Sequence, residues 1–217
     1  MYRVDLHTHS VGSPDGSLQL EQYRRMLAQK RLDYIAITDH NTITFAQQAQ
    51  ATLGPQIIIG EEITATEGEV IGLFLQQAVP PGLPLAETIR RIKAQGGLVY
   101  IPHPFETVRK GLPAVVLDPV AAQIDIVEVH NGRAFFQNKS RVATDWARQH
   151  CKPGAASSDS HGWYDWGATY TIVDRVPTAE TLPEVLQAAR YVVSPVGLRG
   201  MLYPKFNRLR KKVRKHV

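Results

Sequence analysis

The sequence predicts one α/β domain with a largely parallel sheet closed into a small barrel. Three observations carry this. Short apolar runs alternate with helix-period segments along most of the chain. The length, 217 residues, suits one larger domain better than two ordinary ones. Five histidines (His7, His9, His40, His103 and His161) each fall at or just past the end of an expected strand, where α/β barrels build active sites. A doubly wound open sheet is the structural alternative.

The elements follow in order. Residues 2–9 read as a strand and 18–30 as a helix. DYIAITDH at 33–40 is a buried strand, followed by a short helix over 42–51. QIIIGEEIT at 56–64 and EVIGLFL at 69–75 are strands joined by a tight connection. VPPGLP is a loop, and 85–95 is a helix stopped by Gly96-Gly97. Strands are expected at 98–101 and 124–129, then a long helix over 134–150. Residues 154–157 form a short strand leading into SSDSH. A strand at 168–173, a helix at 179–190 and a strand at 191–194 complete the pattern.

Hydrophobic residues make up 43% and charged residues 21% of the chain, which excludes general disorder and a coiled coil. The net charge of +5 suggests a nucleic-acid binder, but it is unevenly spread. Seven basic residues and no acidic ones lie between Pro204 and Val217. The rest holds 18 basic against 20 acidic residues, a net of −2. The expected organisation is a catalytic domain over 1–203 and a basic tail over 204–217. Leu202, just before that tail, and Phe206, Leu209 and Val213 within it recur at roughly helical spacing, so a solvated tail, contact with RNA or another polyanion, and weak contact with anionic membrane all compete. Cys151 is the single cysteine, which forbids an intrachain disulfide. There is no apolar signal core and no run near the ~18 apolar residues of a membrane span. A cytoplasmic protein is expected.

The chemistry-bearing motifs come next. In DLHTH, His7 and His9 at i, i+2 converge on one face with Asp5 beneath them, a sound pair for a divalent metal. SPDG at 13–16 reads as a turn. ITDH places Asp39 and His40 at a strand mouth. In GEEIT, adjacent Glu61 and Glu62 point to opposite faces, so only one can serve a given site. IPHP holds His103 between two prolines. SSDSH puts Asp159 and His161 at i, i+2. Together these motifs predict a polynuclear metal site.

This set of motifs, DLHTHS, SPDG, AITDHNT, GEEIT, IPHP and SSDSH, resembles the PHP (polymerase and histidinol phosphatase) superfamily in order and spacing. The resemblance implies a distorted (β/α)7 barrel with two or three divalent metal ions, Mn, Zn or Fe, at its mouth. It implies that His7, His9 and Asp159 bind a first metal and that Glu62 bridges to a second. His103 completes part of that second site, and Asp15, His40 and His161 hold a third. Where many members carry a histidine, this chain has Glu69, read here as a substitute ligand. Asp39 is expected to orient a ligand or shuttle a proton. Arg133 is a candidate phosphate clamp and catalytic group. His130, sharing a strand face with Glu128, is a candidate substrate contact.

The expected activity is hydrolysis of a phosphate ester of a small metabolite or nucleotide through a metal-bridging hydroxide. Alternatives are an exonuclease on short RNA, a metal-binding regulatory module with reduced catalysis, and a hydrolase of C–N bonds, since amidohydrolase barrels also begin with HxH. Arg109, Lys110, Trp163 and Trp166 lie in the loops that would select substrate.

Overall fold

The computed structural model describes residues 1–134, 137–164, 166–194 and 197–214, with side chains at 198–201 and 214 left aside. Part of the expected helix at 134–150, part of the loop at 162–167, the Pro195-Val196 pair and the last three tail residues, including Lys215 and His216, lie outside the described residues.

The strands are β1 Tyr2–Asp5, β2 Tyr34–Ile37, β3 Ile57–Thr64, β4 Glu69–Leu73, β5 Leu98–Ile101, β6 Ile126–Asn131, β7 Gly154–Ser157, β8 Tyr170–Val173 and β9 Arg190–Val192. The helices are α1 Leu20–Ala28, α2 Thr44–Leu53, α3 Leu85–Ala94, α4 Ala114–Leu117, α5 Ser140–Gln149, α6 Leu182–Val185 and α7 Leu198–Arg214. Most lie within a few residues of their expected spans. The expected helix at 179–190 is a single α turn running into a 3-10 turn. Short α4 and the 3-10 turn after it fill what reads in the sequence as loop. α7 runs without a break across the expected boundary at Pro204.

The nine strands form one sheet in the order β7-β6-β5-β4-β3-β2-β1-β8-β9. β1–β2–β3 and β5–β6–β7 are parallel runs, while β4 is antiparallel to both its neighbours. The sheet curls until its ends nearly meet. The Thr8–Ser160 bridge joins the chain beyond β1 to the chain beyond β7, with His9 N donating to Ser160 O at 2.8 Å. This nearly closed, barrel-shaped sheet is the expected fold class, distorted by the reversed β4.

Strand alternation divides the core. Ala36, Ile58, Ile71, Tyr100, Ile126 and Ala155 pack together inside the barrel. Ile35, Ile37 and Ile57 point outward under α1 and α2, and Val99, Ile101, Val127 and Val129 do the same under α3 and α5. Burying these aliphatic side chains contributes about 1.5–3 kcal/mol each. It also pins the register, because a one-residue slip would invert every strand.

Candidate metal centre

The parallel strands all run toward one mouth, so their C-terminal ends deliver side chains there. β3 brings Glu62, on the same parity as Ile58, while Glu61 shares the outward parity of Ile57. β4 also contributes, because an antiparallel strand begins where β3 ends. Glu69 is paired with Thr64 and so sits at the mouth.

The structure gathers His7, His9, Asp15, His40, Glu62, Glu69, His103, Asp159 and His161 into one cluster, in which all but the more deeply set His7 and His9 line a cavity. His9 Nε2 lies 3.2 Å from Glu62 Oε2 and 3.4 Å from Asp159 Oδ1. His7 Nε2 lies 3.5 Å and 3.6 Å from the same two oxygens. His103 Nε2 is 3.1 Å from Glu62 Oε1 and 3.9 Å from Glu69 Oε2. His40 Nδ1 is 3.2 Å from Glu62 Oε2. Asp15 stands 3.6 Å from both His40 Nε2 and His161 Nε2. Ser13 Oγ donates to Asp15 Oδ1 at 2.8 Å. The SPDG turn therefore aims a carboxylate at the centre. Gly16 is required in it, because a Cβ there would meet Ser10 O at 2.1 Å.

Two backbones at the centre are strained. His103 and Asp159 have φ of 30° and 51°, a region costly for residues with a Cβ. The flanking prolines and the SSDSH turn hold them there.

The electrostatics call for cations. Burial disfavours a charge on His9, yet Asp159 and Glu62 outweigh it and push its pKa up to about 9. Burial likewise opposes ionisation of Glu62 and Asp159. Even so, His40 and His7 hold Glu62 well below the carboxylate range, and Arg133 and His7 do so for Asp159. His161 goes the other way: burial, His9 and Arg133 push it down to about 3. Protons satisfy such a cluster only in part. His7 Nε2 and His9 Nε2 are 3.1 Å apart and cannot both carry hydrogens toward each other. The buried nitrogens His9 Nδ1 and His103 Nδ1 have no hydrogen-bond partner. Four groups have one potential ligand atom per residue, all within 4.8 Å of one another: His7-His9-Asp159, His7-Glu62-His103, His40-Glu62-Glu69 and His9-Asp15-His40-His161. Imidazole with carboxylate is a donor set for Zn, Mn or Fe, so the residues fit divalent metal ions.

Cations line the walls. The cavity, about 320 Å3, is bounded by Arg109, Lys110, Arg133, Lys205 and Arg208 above the acidic floor. Arg133 Nη1 is 3.3 Å from Asp159 Oδ1 and 3.2 Å from His161 Nδ1. Arg109 bonds Glu106, Asn131 and Asp159.

Two expected site residues are placed elsewhere. Asp39 has the outward parity of Ile37. Its carboxylate accepts hydrogen bonds from Ser10 N at 2.6 Å and from Ser10 Oγ, and it does not line the cavity. It braces the chain just after His9. His130 and Glu128 do not share a face, because the β6–β7 register shifts between them. A bulge flips parity beyond it. His130 turns to Tyr191, ring centroids 5.5 Å apart, and Asn131 turns inward to Glu128 and Asp159.

Glu128 was legible only as a strand residue, yet it anchors the centre from behind. Its carboxylate is 3.1 Å from His7 Nδ1 and accepts from Tyr100 OH and His103 N. Such a partner fixes the tautomer and direction of an imidazole. Asn207 and Arg208, from the basic tail, also reach the site. Asn207 Nδ2 donates to Asp15 O and His161 O at 2.7 and 3.1 Å.

Comparison with known proteins identifies the family and the fold. The family model described as PHP domain matches residues 5–166. An uncharacterized protein of Methanocaldococcus jannaschii is 37% identical over 59% of this chain and 81% of its own length. A phosphoribosyl 1,2-cyclic phosphate 1,2-diphosphodiesterase of Eggerthella lenta is 34% identical over 35% of this chain and 32% of its own. Among solved structures, a two-domain protein of Bacteroides vulgatus containing a predicted PHP-like metal-dependent phosphoesterase superposes with a TM-score of 0.70. It is 20% identical and covers 95% of this chain and 69% of that one. That likeness is one of fold.

Proposed function

The chain belongs to the PHP domain family, and from that premise we propose that it is a phosphoesterase hydrolysing a phosphate ester of a small metabolite or nucleotide. The observation that carries the proposal is the stacking of two charge layers in one cavity: a floor of histidines and carboxylates beneath a wall of arginines and lysines. A phosphate ester needs both layers.

In this reading His7, His9 and Asp159 would hold one divalent ion, and Glu62 with His103 and Glu69 would serve a second. Asp15, His40 and His161 would hold a third. Such ions, Mn, Zn or Fe, supply Lewis acidity when bound: they acidify water and neutralise phosphoryl charge. The remaining work falls to the chain. Arg133 offers a guanidinium at the cavity wall for a phosphoryl oxygen. Arg109 and Asn131 donate to the Asp159 carboxylate and fix it, and Glu128 orients His7. Lys110, Lys205 and Arg208 raise the local concentration of anionic substrate. The resemblance to the Eggerthella lenta diphosphodiesterase brings phosphodiesters within range.

The experiment is a hydrolysis screen over nucleotides, bisphosphates, histidinol phosphate, cyclic phosphates and short RNA, with Mn, Zn and Fe supplied separately. Metal content of the purified chain and of a His7→Ala/His9→Ala variant is measured in parallel. Turnover of a phosphate ester, with metal lost in the variant, supports the reading. A metal-loaded chain that cleaves none of these substrates sinks it. No helix among the described residues is long and apolar enough to cross a membrane, and a cytoplasmic site of action is part of this proposal.

A further inference from the structure

α7 has two unlike faces. At about 100° per residue, Pro204, Asn207, Arg208 and Lys211 fall on one side. That side is docked: Pro204 and Asn207 are buried, Arg208 pairs with Asp15, and Lys211 Nζ donates to Val11 O and Ser13 O. On the opposite side Leu202, Phe206, Leu209 and Val213 fall within an arc of about 60°, spaced four, three and four apart. They are 54%, 62%, 63% and 57% exposed. Lys205 and Lys212 border this stripe on one edge and Arg210 on the other. The docked face fixes the helix, so the apolar stripe is held outward, exposed among the described residues.

We propose that this outer face of α7 docks on the anionic surface of a lipid bilayer, with the helix lying in the interface. An apolar stripe edged by lysine and arginine has the chemistry of an interfacial helix: the stripe enters the acyl boundary while the cations meet anionic headgroups. Charge selects this occupant over the others. No acidic residue occurs from Leu198 onward, so a second copy of α7 would bring like charges together. RNA would satisfy the cations but leave Leu202, Leu209 and Val213 facing phosphates, with Phe206 the single aromatic on the stripe. The inference does not depend on the catalytic reading, although docking would hold the cavity mouth near the bilayer, since Lys205 and Arg208 line that mouth.

The test is co-sedimentation of the full chain with vesicles of phosphatidylcholine alone and of phosphatidylcholine mixed with phosphatidylglycerol. Wild type should sediment with the mixed vesicles and not with the neutral ones. Binding should weaken at least about tenfold when salt rises from about 0.1 to about 0.5 M. A Phe206→Asp/Leu209→Asp variant, whose exposed positions leave the circular dichroism unchanged, should lose binding by at least about tenfold. An Arg210→Glu/Lys212→Glu variant should lose it as well. Wild type remaining in the supernatant with the mixed vesicles would overturn the inference. So would unchanged binding of the aspartate variant, a concentration-dependent dimer abolished by that variant, or RNA binding abolished by it without any vesicle binding.

Discussion

The guanidinium of Arg208, on the last helix, lies 2.6 Å from the Asp15 carboxylate in the first loop of the barrel. The chain thus meets itself across 193 positions, and a cation of the basic segment occupies one oxygen of a candidate ligand. Arg208→Ala should therefore tighten divalent-ion binding at the Asp15 position, because guanidinium and ion compete for the same oxygen. The gain is about two- to fivefold, the equivalent of ~0.5–1 kcal/mol for a pair exposed on one side. Calorimetric titration with Mn2+ reads it, and weaker binding would contradict the competition.

Glu62 touches His7, His9, His40 and His103 at once. Glu62→Gln removes the carboxylate those imidazoles share. Bound metal should fall in elemental analysis, and phosphoesterase activity should drop at least about a hundredfold, since even residues behind metal ligands cost 10–100-fold. A variant that keeps its full metal complement would show that the centre lies elsewhere.

Glu128 tests the layer behind the centre. Glu128→Gln preserves shape but weakens the acceptor facing His7 Nδ1. The expected loss is about 10–100-fold in metal affinity, with secondary structure unchanged by circular dichroism. Equal affinity in a competition assay against a chelator would remove this residue from the site.

Asn207 is nearly fully buried, 3% exposed, and its amide serves two backbone carbonyls. Asn207→Ala leaves Asp15 O and His161 O without that donor, a cost of about 1–3 kcal/mol. The cost should fall on helix docking. Amide exchange in α7 should accelerate while the parallel strands keep their protection, and uniform acceleration across the fold would argue for a global role instead.

Glu61 carries the pH prediction. It is buried on the outer face of β3, accepts from Val79 N at 2.8 Å, and has its second oxygen unpartnered. Burial pushes its pKa up to about 7, above its value of about 4.5 in an unfolded chain. The folded state therefore holds the proton more tightly. Its stabilising share is complete below pH about 4.5 and is lost as pH rises through about 7. Glu61→Gln stays neutral, so its stability relative to wild type should rise across that window by on the order of 2–3 kcal/mol. Urea unfolding at pH 5 and pH 8 measures it, and a constant difference would mean that Glu61 titrates normally.

Much of the centre was legible because strand periodicity is strict. Two residues apart means one face, so HxH and DxH pair by alternation; alternation says only that one of Glu61 and Glu62 serves the site, and the family resemblance selects Glu62. Asp39 and His130 lie away from the cavity for two different reasons. Asp39 lies one residue before His40, and alternation sends it outward to Ser10. His130 was placed by the same alternation, but a bulge at Glu128/His130 adds a residue that no local composition announces.

What the sequence determined by itself is therefore most of the strands and helices, parity along the regular strands and the end of the sheet that carries the histidines, since these follow from periods of 2 and 3.6 and from side-chain chemistry. What only the tertiary structure decided is the long-range partnership. The reversed β4 delivers Glu69 to the mouth, Glu128 lies behind His7, and the segment that reads as a basic tail is a helix whose inner face closes over Asp15 and His161. Such contacts join residues far apart in the chain, and they arise only when the sheet curls and the last helix finds a groove to fill.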